Sequence, residues 1–232
     1  MRSMSLKRST VALAIHLGCT GNAFAAPENI TEGELALTPP FCQDVQTIKY
    51  GDQYGNASPR SPYWVGLMGK TFWAMHHYCW GLIEVHRSRA AGLPQTVRDH
   101  LLSSAIGDYY YVIKNATPNF VMLPEIYLRI GEAQALKRDP IAALQSFAAA
   151  RRIKRDYAPP YVRAAEVLEK IGRKNEAKAL LAEGLGLMPD EPAVRSGFER
   201  LGGKIADVRP LAAASASASA SAPASASASS PQ

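Results

Sequence analysis

The feature that most constrains this chain is an internal repeat of 34 residues that begins at Pro124. At that offset, small or large apolar residues recur in five pairs: Tyr127 and Tyr161, Gly131 and Ala165, Ala143 and Ala177, Phe147 and Leu181, and Ala150 and Gly184. A fixed period of this length is typical of stacked helical hairpins, in which small residues mark the places where two helices touch. Turn-forming residues at 139–140 and 173–175 divide each unit into two helices. We therefore predict helices at about 124–137, 141–153, 158–171 and 175–187.

The pattern resembles the tetratricopeptide repeat family. In the second unit, Leu168, Gly172 and Pro189 stand where that family has an apolar residue, a turn glycine and a closing proline. The first unit departs from the family, because Arg155 stands at the proline position. The resemblance covers residues 124–191 and implies an all-α fold, a short stack of helix-turn-helix units that binds protein segments in a groove.

Three parts make up the predicted repeat region: a unit at 124–157, a unit at 158–191 and a capping helix within 192–205, from Pro192 to Leu201. The capping helix is expected because the last unit would otherwise expose its apolar stripe to water. An unrelated array of helical hairpins is the alternative to this arrangement.

A third, degenerate unit is predicted ahead of the two clear ones, at 65–123, because about three stacked units are normally needed for stability. Its first helix would be the aromatic segment from about Val65 to Arg89. Its second helix would contain Ala105 and Tyr109 and end near Asn115.

Both ends of the chain are predicted to lie outside the fold. Residues 1–25 have the form of an export leader, with basic residues, a short apolar stretch and small residues before Ala26, where cleavage is expected. This leader predicts a periplasmic or secreted protein. Lipid attachment at Cys19, which would give an outer-membrane lipoprotein, is the alternative. Residues 206–232 form an Ala/Ser-rich tail that is predicted to be disordered.

The net charge of +6 and the isoelectric point near 9.3 suggest a nucleic-acid partner. Three of the basic residues belong to the predicted leader, and their loss lowers the net charge to +3. The basic cluster at 151–155 falls at the end of a predicted helix, where cations complement the helix dipole. No aromatic residues are interleaved with that cluster. The sequence therefore predicts no nucleic-acid partner, and a membrane contact only through lipid on Cys19.

Residues 26–64 are predicted to form an irregular cap that packs on the aromatic segment following them. In a helix, Trp73, His77 and Trp80 would share one face. We expect these three residues and Trp64 to pack as an aromatic cap, since aromatic faces at this spacing more often form a core than a ligand platform. The arrangement also resembles exported tetratricopeptide proteins of proteobacteria.

Loss of the leader leaves Cys42 and Cys79 of the three cysteines. We expect them to pair in an oxidising compartment, which would fix the irregular cap to the aromatic helix. Two buried free thiols are the alternative, because spacing in the sequence does not decide between them.

Motifs for catalysis and for metal binding are weak. The sequence has no nucleophile elbow, no His-Glu-x-x-His pattern and no carboxylate pair in distinct surroundings. We therefore predict no enzymatic activity, no cofactor and no metal site. Two alternatives stay open: an envelope protein that binds a metal or small molecule through residues 72–80, and an unrecognised enzyme built on residues 41–100.

The family resemblance places the partner groove on the first helix of each unit. The groove-facing positions are Leu128, Glu132 and Ala135 in one unit and Val162, Glu166 and Glu169 in the next. Three carboxylates beside apolar side chains would suit a segment that carries Lys or Arg. The alternative is that these glutamates form the solvated side of a helix. The predicted function is an exported interaction or scaffold module that holds a protein or peptide partner in this groove, and that partner could be basic.

Overall fold

The computed structural model describes residues 27–46, 48 and 58–210. The predicted leader with Cys19, and the Ala/Ser-rich tail from residue 211 onward, lie outside the described residues. Across those described ranges the chain is helical and has no strand, which confirms the predicted all-α fold. Its helices are α1 (Glu32–Ala36), α2 (Ser61–Met68), α3 (Met75–Arg87), α4 (Gln95–Asn115), α5 (Leu123–Leu136), α6 (Pro140–Ile153), α7 (Pro159–Lys170), α8 (Lys174–Leu187) and α9 (Pro192–Arg200). None of the described helices is long and apolar enough to cross a membrane.

Helices α5 to α9 form the repeat region, and each observed end lies within one residue of the predicted one. Proline at one of the first two positions begins α5, α6, α7 and α9, where its missing N–H costs no helical hydrogen bond. Before α6, the Asp139 carboxylate accepts a hydrogen bond from the Ala142 N–H at 3.0 Å. After α7, Gly172 takes a φ of 80° and turns the chain into α8. Local sequence thus ends these helices where the repeat pattern predicts.

A small residue meets an aromatic ring inside the helical hairpins. In the α5–α6 hairpin, a Cβ atom added to Gly131 would lie 2.5 Å from the Phe147 ring. In the α3–α4 hairpin, a Cβ added to Gly81 would lie 2.6 Å from the Tyr109 ring. Only glycine permits such an approach. Helices α3 and α4 therefore pair in the same way as α5 and α6 of the repeat region.

The structure corrects the predicted helix from Val65 to Arg89. That stretch contains the end of α2, a 3-10 helix at Gly69–Ala74 and then α3. Helix α2 ends because Gly69 takes a φ of 63°, a left-handed conformation that glycine adopts without steric cost. The 3-10 helix then leads directly into α3 at Met75.

The N-terminal segment 27–46, which we name the strap, lies against α3. It contains α1, so this part of the predicted irregular cap is partly helical. A capping box starts α1: the Thr31 hydroxyl accepts from the Glu34 N–H, and the Glu34 carboxylate accepts from the Thr31 N–H. Arg87 of α3 then donates to the Glu34 carboxylate at 2.5 and 3.0 Å. The strap is therefore tied to α3 by an ion pair.

A disulfide between Cys42 and Cys79 also joins the strap to α3, with the two sulfur atoms 2.08 Å apart. The two cysteines are 37 residues apart in the sequence. Closing a loop of that length stabilises a fold by about 3–4 kcal/mol in the chain-entropy description. Beside the disulfide, Leu35, Phe41 and Val45 of the strap are buried in one core with side chains of α3, α4 and α5.

Replacing Gly131 with Ala is expected to lower the free energy of unfolding by about 1–3 kcal/mol, because the added methyl group would overlap the Phe147 ring. The matched control is Gly66→Ala in α2, where an added Cβ meets no atom within 4 Å. That change should be neutral or stabilising by up to about 1 kcal/mol, since Ala favours helices. Urea unfolding, monitored by circular dichroism, measures the free energy of unfolding of both variants. Equal effects would show that the close contact does not stabilise the hairpin.

Candidate protein-binding groove

A groove runs along the first helices of the hairpins and begins at the strap. Its larger pocket, of about 710 Å³, lies between the strap, α3 and α5. A smaller pocket, of about 200 Å³, lies between α5 and α7. Arg89 and Glu132 border both pockets. The two pockets therefore adjoin and form one groove.

Three of the predicted groove residues line these pockets: Glu132, Ala135 and Glu166. The prediction was wrong for Leu128, which is only 3% exposed and packs with Phe147 and Val167 in the interior. Burying this large apolar side chain removes its surface from water, which favours the interior over the groove. Val162 is half-buried and packs against the core that includes α8 and α9.

A chain of ion pairs, which we name the ladder, crosses from α5 to α7. It consists of Glu125, Arg129, Glu132, Arg163 and Glu166. Arg129 donates to Glu125 at 2.6 Å and to Glu132 at 2.9 Å. Arg163 donates to Glu132 at 3.0 Å and to Glu166 at 3.1 Å. Every carboxylate of the ladder thus faces an arginine of the same chain.

Glu169, the sixth predicted groove residue, is paired in the same manner with a residue of α9. Arg200 donates to its two carboxylate oxygens at 2.6 and 2.7 Å, and these hydrogen bonds lower the pKa of Glu169. The sequence prediction assumed that Glu132, Glu166 and Glu169 were open to a basic partner. The structure places an arginine beside each of them, so these carboxylates already have partners within the chain.

Glu125 is the hydrogen-bonding centre at the α5 end of the ladder. Besides the bond from Arg129, it accepts one from the Tyr78 hydroxyl at 3.2 Å and another from the Tyr157 hydroxyl. Burial, with the nearby Glu125 charge, raises the pKa of Tyr78, so both phenols remain donors. Glu125 therefore links α3, α5 and the turn before α7 through donors of this chain.

Of the four residues predicted as an aromatic cap, His77 and Trp80 contact each other, while Trp64 and Trp73 pack against the core that contains Phe41 and Phe72. Trp64 donates from Nε1 to Asp44 of the strap at 2.7 Å. Trp73 lies on the 3-10 helix before α3, so it does not share a helical face with His77 and Trp80 as predicted. Those two rings do pack together on α3, with centroids 4.7 Å apart.

His77 lies next to two buried acidic residues, Glu84 of α3 and Asp108 of α4. Its Nδ1 lies 2.5 Å from Asp108, which is completely buried. One oxygen of Asp108 and one of Glu84 lack a donor, although the two carboxyl groups are within hydrogen-bonding reach of each other. Burial, together with Asp108, raises the pKa of Glu84 to about 8, and burial lowers the pKa of His77 to about 4.

The residues suggested for a metal or small molecule, 72–80, do not converge as ligands. Among the described residues no group of three or more His, Cys, Asp or Glu side chains is arranged to hold a metal ion. Cys79 is committed to the disulfide, and His76 contacts the Trp73 carbonyl oxygen through Nδ1 at 2.9 Å. The disulfide and this contact therefore account for the Cys79 and His76 side chains.

Residues 135–197, from the end of α5 through most of α9, match the family model of the tetratricopeptide repeat. This part of the chain therefore resembles the tetratricopeptide repeat. One similar solved structure is the first TPR of Spaghetti (RPAP3) bound to the HSP90 peptide SRMEEVD. The likeness has 16% sequence identity and a TM-score of 0.38, and it covers 53% of this chain and 92% of that one. None of the curated proteins compared with the chain matches it.

Sequence reasoning missed the arginines that pair with the predicted glutamates. Arg129 lies four residues after Glu125 and three before Glu132, a spacing at which side chains of one helix meet. That part of the ladder was therefore visible in the sequence. Arg200 is 31 residues from Glu169, and their contact exists only once α9 packs on α7.

Replacing Glu84 with Gln is expected to flatten the dependence of stability on pH. The pKa of Glu84 is about 8 in the folded state and near 4.5 when unperturbed, so the folded state binds its proton more tightly. This stabilisation is complete below pH 4.5 and is lost as pH rises through about 8. A Gln amide would donate to Asp108 at every pH.

The measurement is the urea midpoint at pH 7 and at pH 9. The wild type should lose more stability than the Glu84→Gln variant between these values. Glu199→Gln, on the exposed side of α9, serves as the control and should behave like the wild type. A Glu84→Gln variant with the wild-type slope would show that Glu84 is not protonated in the folded protein.

Proposed function

We propose that this chain is an exported interaction module that holds a segment of a partner protein in the groove between the strap, α3, α5 and α7. The observation that carries the proposal is the continuity of two adjoining pockets along the first helices of successive hairpins. A continuous groove of this kind suits an extended or helical segment better than a compact small molecule. Tetratricopeptide repeats present extended concave surfaces, which supports a binding role rather than a catalytic one.

Two features support the proposed export. The bond between Cys42 and Cys79 is of a kind that persists in oxidising compartments. Residues 1–25 have the composition of a cleavable leader. We therefore place the mature protein in the periplasm or outside the cell, with Ala26 as its first residue. Lipid attachment at Cys19 is the competing form.

The intact mass of protein purified from cells that export it distinguishes these two forms. The expected mass is that of residues 26–232 less two hydrogen atoms, which should return on reduction. A mass equal to that of residues 19–232 plus acyl chains would show that the protein is the lipoprotein instead. A mass that includes residues 1–25 would contradict export.

Blocking the smaller pocket is expected to remove partner binding. Ala135→Trp should fill the space between α5 and α7 and reduce capture of the partner roughly tenfold or more. The control is Ile141→Trp, at a side chain that is 69% exposed on α6, away from the groove. Lys170→Glu, an exposed change at the groove wall, tests the same surface without added bulk.

Capture uses cross-linking in the envelope fraction and quantitative mass spectrometry of the bound proteins. Circular dichroism melting of each variant first confirms that it is folded. The same proteins should be recovered with wild type and Ile141→Trp and be depleted with the two groove variants. Equal recovery with all four would mean that another surface binds the partner.

A further inference from the structure

The groove continues into a third pocket, at the turns that follow α5 and α7. This pocket has a volume of about 250 Å³, and its lining residues are Ala135, Arg138, Pro140, Val167, Lys170 and Ile171. Three of them, Ala135, Val167 and Lys170, also line the smaller pocket between α5 and α7. The third pocket, which we name the turn pocket, therefore adjoins the smaller pocket and extends the same groove.

The turn pocket combines apolar side chains with two positive charges. Pro140, Val167 and Ile171 contribute apolar surface to its lining, and Ile171 is 40% exposed. Arg138 and Lys170 are the only charged side chains among the described residues that line it, and both are exposed. A pocket of this composition can remove an apolar side chain of a ligand from water while its two cations attract an acidic neighbour.

Neither Arg138 nor Lys170 forms an ion pair within the described part of the chain. The acidic residues nearest to Lys170 on α7 are Glu166 and Glu169, and each of them is already paired with an arginine. Asp139, which follows Arg138, uses its carboxylate to accept a hydrogen bond from an N–H in the first turn of α6. The two cations are therefore free to bind carboxylates of another molecule.

Arg138 stands in its turn with a conformation that favours glycine. Its φ is 63°, whereas Gly172, which lies 34 residues later at the turn after α7, has a φ of 80°. A residue with a side chain is less stable than glycine in this left-handed region. Such costly backbone conformations are concentrated at sites that bind ligands. At Arg138 the conformation accompanies a guanidinium group at the edge of the turn pocket.

We propose that the turn pocket binds an acidic, apolar stretch of the partner segment, with one apolar side chain in the pocket and side-chain carboxylates on Arg138 and Lys170. This inference rests on the proposed function of the groove and adds the chemistry of the partner. The planar guanidinium of Arg138 suits a carboxylate, with which it can form two parallel hydrogen bonds. The charge of this stretch is therefore opposite to that of the basic partner considered from the sequence.

The test uses the mature oxidised protein, immobilised, and three libraries of hexapeptides with acetylated and amidated ends. The first library contains Leu, Ile, Val, Phe, Asp and Glu. In the second, Asn and Gln replace Asp and Glu, and in the third, Lys and Arg replace them. Retained peptides are identified and quantified by mass spectrometry. Because the ends are blocked, the libraries differ only in their polar side chains, and no terminal carboxylate takes part in binding.

The acidic library should be retained roughly tenfold more than either of the other two, and added salt should reduce this excess. Arg138→Gly should lower retention of the acidic library about three- to tenfold, because it removes one charged hydrogen-bond donor. Its melting temperature should be unchanged or higher, since glycine adopts a positive φ without steric cost. Arg138→Lys keeps the charge and should bind within about twofold of the wild type. A purely structural Arg138 would not separate binding from stability in this direction.

Reversal of the second charge tests the other half of the site. Lys170→Glu should lower retention of the acidic library roughly tenfold, because the pocket then repels carboxylates. The matched control is Lys114→Glu, which changes the net charge equally at an exposed residue of α4 that lines none of the three pockets. This control should retain the acidic library as the wild type does.

Preferential retention of the basic or the uncharged library would overturn the inference, as would retention of none of the three or full binding of the acidic library by Arg138→Gly. Capture of proteins from the envelope fraction separates this failure from failure of the proposed function. If the wild type captures a partner that Ala135→Trp releases and Arg138→Gly does not, the groove function stands and the turn-pocket assignment falls. If neither the libraries nor a groove-dependent partner are bound, both proposals are rejected.

Discussion

The close approach of paired helices at two glycines determines how the helices pack and how the groove is shaped. Gly131 lets α5 approach the Phe147 ring, and Gly81 lets α3 approach the Tyr109 ring. These contacts set the orientation of α3 and α5. They therefore also set the position of the opposite face of each helix, which borders the groove. The Tyr109 side chain, whose ring packs on Gly81, also borders the larger pocket. A larger residue there would alter the hairpin and the binding site together.

The ladder makes the groove less acidic than its glutamates alone would suggest. Glutamates alone would make an acidic channel, but Arg129 and Arg163 alternate with them along α5 and α7. Half-exposed ion pairs of this kind contribute little to stability individually. Their main consequence is that the groove has few unpaired charges to offer a ligand.

The repeat helices could be predicted because each unit uses the same kinds of residue for the same contacts. The period of 34 and the proline and glycine positions were sufficient to place α5 to α9 within one residue. The break at Gly69 was missed, since an aromatic run does not show which glycine takes a positive φ. Leu128 was misplaced because a position in a repeat does not specify how deeply a particular side chain is buried.

The remaining site features depend on contacts between helices that are distant in the sequence. Asp108 and His77 are 31 residues apart, as are Arg200 and Glu169. No local spacing identifies such partners before the helices pack. The disulfide was different, because the two cysteines left after the predicted leader allow only one intramolecular pairing. The count limited the pairing to one possibility but left free thiols open, and only the packed structure shows the bond.

The strap is attached to the rest of the protein by two covalent routes. One is the main chain that follows Cys42, and the other is the bond from Cys42 to Cys79 on α3. A proteolytic cut of the main chain between Cys42 and Ser58 would therefore leave the strap joined to α3 by sulfur. The end wall of the groove would survive such a nick, and the two fragments would separate only in a reducing environment. Redox state, rather than an unbroken backbone, determines whether this wall stays with the molecule.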